Sequence, residues 1–172
     1  LPHGHIHSNG AILNLSFWKA PPLSARLHRL KSSPLFGTLT PLELKTIDAL
    51  IHERSYLDSE VIFDQGEEGH ALYLLLSGRV AINRMHGNDI ELVNEIEPGS
   101  FFGDLALLDN SPRLAQARAK GNCTLAVFFR ADFTGIMDTD PVIGYKVSLA
   151  LARHLGHNLR GLLDGAKRYE IL

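Results

Sequence analysis

Between Tyr56 and Arg130 the chain is cut into short apolar runs by glycines at 69, 78, 87 and 99, at intervals of 9, 9 and 12 residues. That rhythm belongs to short antiparallel strands in a sandwich or barrel. Glu60–Phe63 predicts a short strand, and Gly66–Gly69 a turn. Ala71–Leu76 is a continuous apolar run, short enough for a strand buried on both faces. Gly78 is expected to turn the chain. Val80 and Ile82 then alternate with polar or small neighbours, and His86-Gly87-Asn88-Asp89 predicts a hairpin tip. Ile90, Leu92 and Ile96 alternate next, and Pro98-Gly99 is another turn. Leu114–Lys120 and Cys123–Phe129 predict two more strands around Gly121-Asn122.

Helical spacing flanks this region. Ser24–Lys31 predicts a short helix with Leu23, Leu27 and Leu30 on one face. Thr40-Pro41-Leu42-Glu43 is a helix start, with Thr40 as cap, Pro41 in the first turn and Glu43 completing a capping box. Leu44, Ile47, Leu50 and Ile51 follow at helical spacing. Past Arg130 the helical period returns. Asp132–Met137 predicts a short helix, and Asp140-Pro141 starts a long amphipathic one with Ile143, Val147, Leu151, Leu155, Leu159 and Leu162 on one stripe. That helix is expected to lie across the barrel mouth, to pair with its copy in a second subunit, or both.

Composition removes several function classes. The chain has 172 residues, is 45% hydrophobic, and carries a net charge of −2. That charge offers no general attraction to nucleic acid or anionic membrane. Cys123, the single cysteine, can form neither an internal disulfide nor a metal cluster alone, and its apolar neighbours predict a buried thiol in a reducing, cytoplasmic setting. No apolar run approaches a membrane span. Residues 1–22 form an N-terminal arm or a remnant foreign to the native protein. His3, His5 and His7 could chelate a metal there, and Phe17 and Trp18 are expected to dock on the main body. Residues 23–172 form one domain, with strands over about 56–130 and helices over about 131–165.

One stretch carries chemistry. Phe102-Gly103-Asp104-Leu105-Ala106-Leu107-Leu108 predicts a short apolar turn of helix opened by Gly-Asp, and Pro112-Arg113 follows. Backbone donors, a carboxylate and a guanidinium therefore surround one small space. Oriented N–H groups attract an anion, an Arg fork pairs with two oxygens, and a carboxylate accepts from a sugar hydroxyl. A buried Arg113 without an anion is expected to be costly. No nucleophile elbow, Ser-His-Asp order or P-loop is present, and His70 and His86 do not make the ligand set of a metal cupin. Catalysis is not expected.

The order of these elements resembles the cyclic nucleotide-binding domain, the module of catabolite activator-type regulators, protein kinase A regulatory subunits and nucleotide-gated channels. The resemblance covers roughly residues 34–165 and includes Leu76-Ser77-Gly78-Arg79-Val80. It implies a mainly β fold with flanking helices (α+β), an antiparallel, jelly-roll-like β-roll with N-terminal helices and a long C-terminal helix. It implies that Arg113 grips a cyclic phosphate, that Asp104 binds the ribose 2′-hydroxyl, and that amides near Gly103, Leu114 and Ala115 complete the cradle. Leu105 would shape an apolar wall. Asn158 falls where activator-type proteins touch the adenine, with His154, His157 and Arg160 as weaker candidates. The ligand would be cAMP or cGMP, with no cofactor and no metal. The family's acidic residue is commonly Glu, so Asp104 reaches about 1.5 Å less. Leu114 stands where Ser or Ala is common. The resemblance implies a non-catalytic sensor, with a helix-turn-helix finding no room after the long helix. The alternative is a degenerate, nucleotide-free fold that serves as a protein-interaction or dimerisation scaffold.

Overall fold

The computed structural model describes residues 24–165, so the expectations for the N-terminal arm, its histidines and Phe17-Trp18 lie outside the described residues. Helix α1 (Ala25–Ser32) starts where the Ser24 hydroxyl accepts from the Leu27 amide at 3.2 Å. Helix α2 (Pro41–Asp48) carries the expected capping box: Thr40 N donates to Glu43 Oε2 at 2.7 Å, and Glu43 N to Thr40 Oγ1 at 3.3 Å. Leu27, Leu30, Leu44 and Ile47 are buried. Here α2 stops two residues before Leu50, and the chain turns directly into strand β1 (His52–Tyr56). Four of the five β1 residues are exposed, so no apolar alternation announces that strand.

Six strands form one antiparallel sheet rolled on itself: β1, β2 (Val61–Phe63), β3 (Ala71–His86), β4 (Asp89–Ile96), β5 (Phe101–Phe102) and β6 (Gln116–Phe129). The order is β1-β6-β3-β4, with β2 on β6 and β5 on β3. The four runs expected on either side of Gly78 and Gly121 are two long bent strands. β3 continues through Gly78 (φ +86°) with register shifts around Ser77, and β6 continues through Gly121 (φ +75°). The glycines bend the strands without ending them, because the ladder resumes beyond each bend, from Leu75↔Leu125 to Arg79↔Lys120. The hairpin tip at Gly87-Asn88 is as expected.

The bends create two apolar clusters. Leu72, Leu74, Leu76, Ala126 and Phe128 pack against the helices, together with Phe36, Leu44 and Ile47. Leu75, Val80, Ala117, Cys123 and Leu125 pack inside the roll. The 71–76 run is continuously apolar because one of its faces serves each cluster. Helix α3 (Arg130–Thr139) and helix α4 (Pro141–Gly165) close the helical side, with Phe133, Ile136, Ile143, Val147 and Leu151 buried. Farther along the α4 stripe, Leu159 and Leu162 are 58% and 71% exposed, so the helix outruns the body it packs on. Among the described residues no helix is long and apolar enough to cross a membrane.

One ion pair ties the first helices to the last. Lys146 Nζ on α4 donates to both Glu43 oxygens, at 2.8 and 2.7 Å. Lys146, then the Thr40 amide, holds the Glu43 carboxyl below the usual carboxylate range. A depressed carboxyl stabilises the fold above its unfolded-state pKa and loses that contribution as pH falls through the folded-state value. Glu43→Gln keeps the cap and removes the charge. It is expected to lower stability by about 0.5–1 kcal/mol at pH 7. The difference from wild type should shrink as the pH of thermal melts falls through the ordinary carboxylate range and vanish below the depressed folded-state value.

Candidate functional site

A cavity of about 430 Å³ opens on the roll between the 102–106 turn, the 111–115 segment, β4 and the middle of α4. That volume suits a small organic ligand. Asp104–Leu107 is a single turn of 3-10 helix, entered through Gly103 at φ +70°. A positive φ favours glycine at 103, and a Cβ there would also lie 2.6 Å from Arg113 Nη1, so a larger residue would displace the guanidinium tip.

Arg113 is turned inward and is only 8% exposed. Its backbone is clipped to the 64–69 turn, with Arg113 N donating to Glu67 O at 2.7 Å and Arg113 O accepting from Gly66 N at 2.8 Å. Its guanidinium donates to Gly103 O at 3.0 Å and to Ala71 O at 2.8 Å. It lies 4.1 Å from the Phe63 ring centroid and 5.6 Å from that of Tyr73. Two carbonyls and two ring faces therefore accompany the buried cation, and its burial does not by itself demand an anion, contrary to the expectation from sequence. Desolvation still pulls its pKa down, opposed first by Tyr73, and burial pushes the Tyr73 phenol up.

Two buried polar atoms at this cavity have no hydrogen-bond partner among the described residues: Asp104 Oδ2 and Arg113 Nε. The Leu114 and Ala115 amides donate to no backbone carbonyl among the described residues. Leu105 and Leu114 stand at the cavity edge, Leu114 being 68% exposed. Asn158 lines the cavity from α4 and contacts His154 Nε2 at 2.9 Å. The His154 ring lies 4.3 Å from Phe101. Gly103, Asp104, Leu105, Arg113, Leu114, Ala115 and Asn158 are thus brought to one cavity, with His154 beside them. His157 instead lines a second cavity, with Pro34 and Thr38, and Arg160 lines neither.

Sequence reasoning did not find Phe63 as a cavity residue, nor the contact of Tyr73 with the cavity residue Phe102, whose rings stack at 5.5 Å and 14°. It also did not find Val93, Asn94 and Glu95 of β4 as a wall. Among the described residues no three His, Cys, Asp or Glu side chains gather as a metal site.

Comparison with known proteins identifies the family of the fold. The cyclic nucleotide-binding domain family matches residues 53–140, half of the chain. The cyclic AMP receptor protein of Thermus thermophilus is 35% identical over 127 residues, covering 73% of this chain and 59% of that protein. The crystal structure of the Thermus thermophilus catabolite activator protein superposes with a TM-score of 0.66 at 34% identity, covering 76% of this chain and 62% of that one. The regulatory domain of Toxoplasma gondii protein kinase A, crystallised with cAMP, gives a TM-score of 0.60 at 30% identity, covering 64% of this chain and 42% of that one. The chain spans about three fifths of the bacterial relative and about a quarter of a cAMP-dependent protein kinase regulatory subunit. On the matched sequence and the superposed fold, this chain belongs to the cyclic nucleotide-binding domain family.

Proposed function

We propose that this chain is a non-catalytic regulatory domain that binds a cyclic nucleotide, cAMP or cGMP, in the cavity beneath α4. The observation that carries this reading is the pair of unpartnered polar atoms, Asp104 Oδ2 and Arg113 Nε, at one cavity. Buried polar groups are normally paired, so two unpartnered atoms of opposite character on residues that line one cavity support a missing partner there. A cyclic ribose phosphate supplies both halves. A guanidinium has five N–H groups, and Arg113 spends two on Gly103 O and Ala71 O. Those that remain, with the Leu114 and Ala115 amides, receive the phosphate oxygens, and Asp104 accepts from the ribose 2′-hydroxyl. Asn158 on α4 meets the base, and Leu105 packs against the ligand. Regulation then requires that the ligand favour one position of α4 over another.

The test is titration calorimetry with cAMP and with cGMP. Micromolar binding by the wild type is expected, and absence of binding up to millimolar ligand overturns the reading. Asp104→Ala should weaken binding by about tenfold to a hundredfold, the cost of a lost hydrogen bond to a charged group. Asp104→Glu should tighten it if the shorter carboxylate limits reach, and equal affinities would remove that explanation. A second reading is favoured by one observation: Leu159, Leu162 and Leu163 are all more than half exposed on α4. An apolar helix face of this kind can form a homodimer or dock a partner without any nucleotide.

A further inference from the structure

Arg130 is the first residue of α3, and four-fifths of its side chain is withdrawn from solvent. Its guanidinium reaches back across the molecule instead of out to water. Nη1 donates to Gly69 O at 3.1 Å, to Ala106 O at 3.2 Å and to Asp109 O. Nη2 lies 3.5 Å from His70 Nδ1 and 3.8 Å from Glu68 Oε1, and the Arg130 amide donates to His70 O at 2.8 Å. Ala106 and Asp109 are at the carbonyl end of the 104–107 turn, whose other end bears Gly103 and Asp104. A cation there satisfies carbonyls that the short turn leaves over.

Arg113 grips the same 66–71 segment from the other side. Its backbone bonds Gly66 and Glu67, its guanidinium bonds Ala71 O, and a Cβ at Gly69 would sit 3.1 Å from Arg113 Cζ and 2.7 Å from Ala106 Cβ. Two arginines 17 positions apart therefore clasp one short segment, one from the cavity and one from the root of the C-terminal helices. No other charged side chain of α3 is hydrogen-bonded or ion-paired to the 104–109 segment among the described residues.

We propose that Arg130 is a positioning residue that joins the 104–109 cradle to α3, so that a nucleotide drawn against Asp104 and Arg113 shifts the α3–α4 pair with it. The inference rests on the nucleotide-binding reading above. Without Arg130 the cradle still closes on its ligand, but the helices no longer follow. A lysine retains the charge, yet its single ammonium does not reproduce the planar fork that spans separate carbonyls.

Amide hydrogen exchange on the full chain, with and without saturating cAMP or cGMP, tests this after calorimetry on the wild type. If the wild type binds neither nucleotide, the functional reading falls and the coupling role with it. If it binds, exchange is expected to slow both in residues 102–109 and in 130–151. In Arg130→Gln the slowing of 102–109 persists at saturation, while the slowing of 130–151 shrinks about fivefold or more, the lower end of ordinary coupling effects. Arg130→Lys falls between. A wild-type response confined to the cradle, or an undiminished helix response in Arg130→Gln, overturns the coupling role and leaves nucleotide binding standing. Should Arg130→Gln fail to fold, Arg130→Lys decides, since a response equal to wild type there overturns it as well.

Discussion

Arg113→Ala is expected to weaken cyclic nucleotide binding at least about thirtyfold, the usual cost of truncating one member of a buried, hydrogen-bonded charge pair. The same substitution is expected to destabilise the nucleotide-free protein by about 1–3 kcal/mol, because the Gly103 and Ala71 carbonyls lose their donors. The two effects have different origins and can be measured apart, affinity by calorimetry and stability by denaturant titration without ligand. An arginine that merely awaited an anion would be a burden to the empty protein, and its removal would raise stability. Here the guanidinium already braces the entrance of the 104–107 turn. A stability gain in Arg113→Ala would show that the two carbonyls contribute nothing. Unchanged affinity would remove Arg113 from the binding site.

The second large effect is expected at Gly78. A Cβ there would lie 2.4 Å from Asn122 O, 2.6 Å from Cys123 Cβ and 2.8 Å from Cys123 Cα, and φ is +86°. Both obstacles belong to the paired strand, so neither can swing aside as a side-chain tip could. The left-handed backbone costs an alanine about 1–2 kcal/mol, and forced overpacking adds about 1–3 kcal/mol. Gly78→Ala should therefore lower the melting temperature by about 5–15 °C. Gly87→Ala is the control: φ is +62° there, but a Cβ meets nothing within 4 Å. Its cost should be confined to the backbone, and equal losses at the two positions would refute the steric argument.

What could be read in the chain, and what could not, follows the range of the interactions concerned. The Thr40 capping box, the Gly87 hairpin tip and the Asp140-Pro141 helix start depend on neighbours in sequence and were legible. The β-roll and the cavity residues from Gly103 to Ala115 followed from motifs that are continuous in the chain. β1 was hidden because His52–Tyr56 is held by pairing with Cys123–Val127, which no local pattern displays. At Gly78 a positive φ suits a turn and a bend alike, and only the register with β6 separates them. Phe63, Tyr73 and Ala71 join Arg113 from 40 to 50 positions away. Arg130 gave no signal, since its partners are largely main-chain carbonyls, which every residue possesses.

The ladder between β3 and β6 begins at Asn83↔Gln116 and runs to Ala71↔Phe129. Everything between those first partners, the 104–107 turn included, is a loop that this zipper closes. Such distant pairings form slowly, since the chain must surrender the entropy of a long loop before contacts compensate it. The cavity is therefore expected to form late in folding. A ligand resting on Asp104 and Arg113 would find little to hold in the transition state, so it would act as a brake on unfolding and leave the speed of folding nearly untouched.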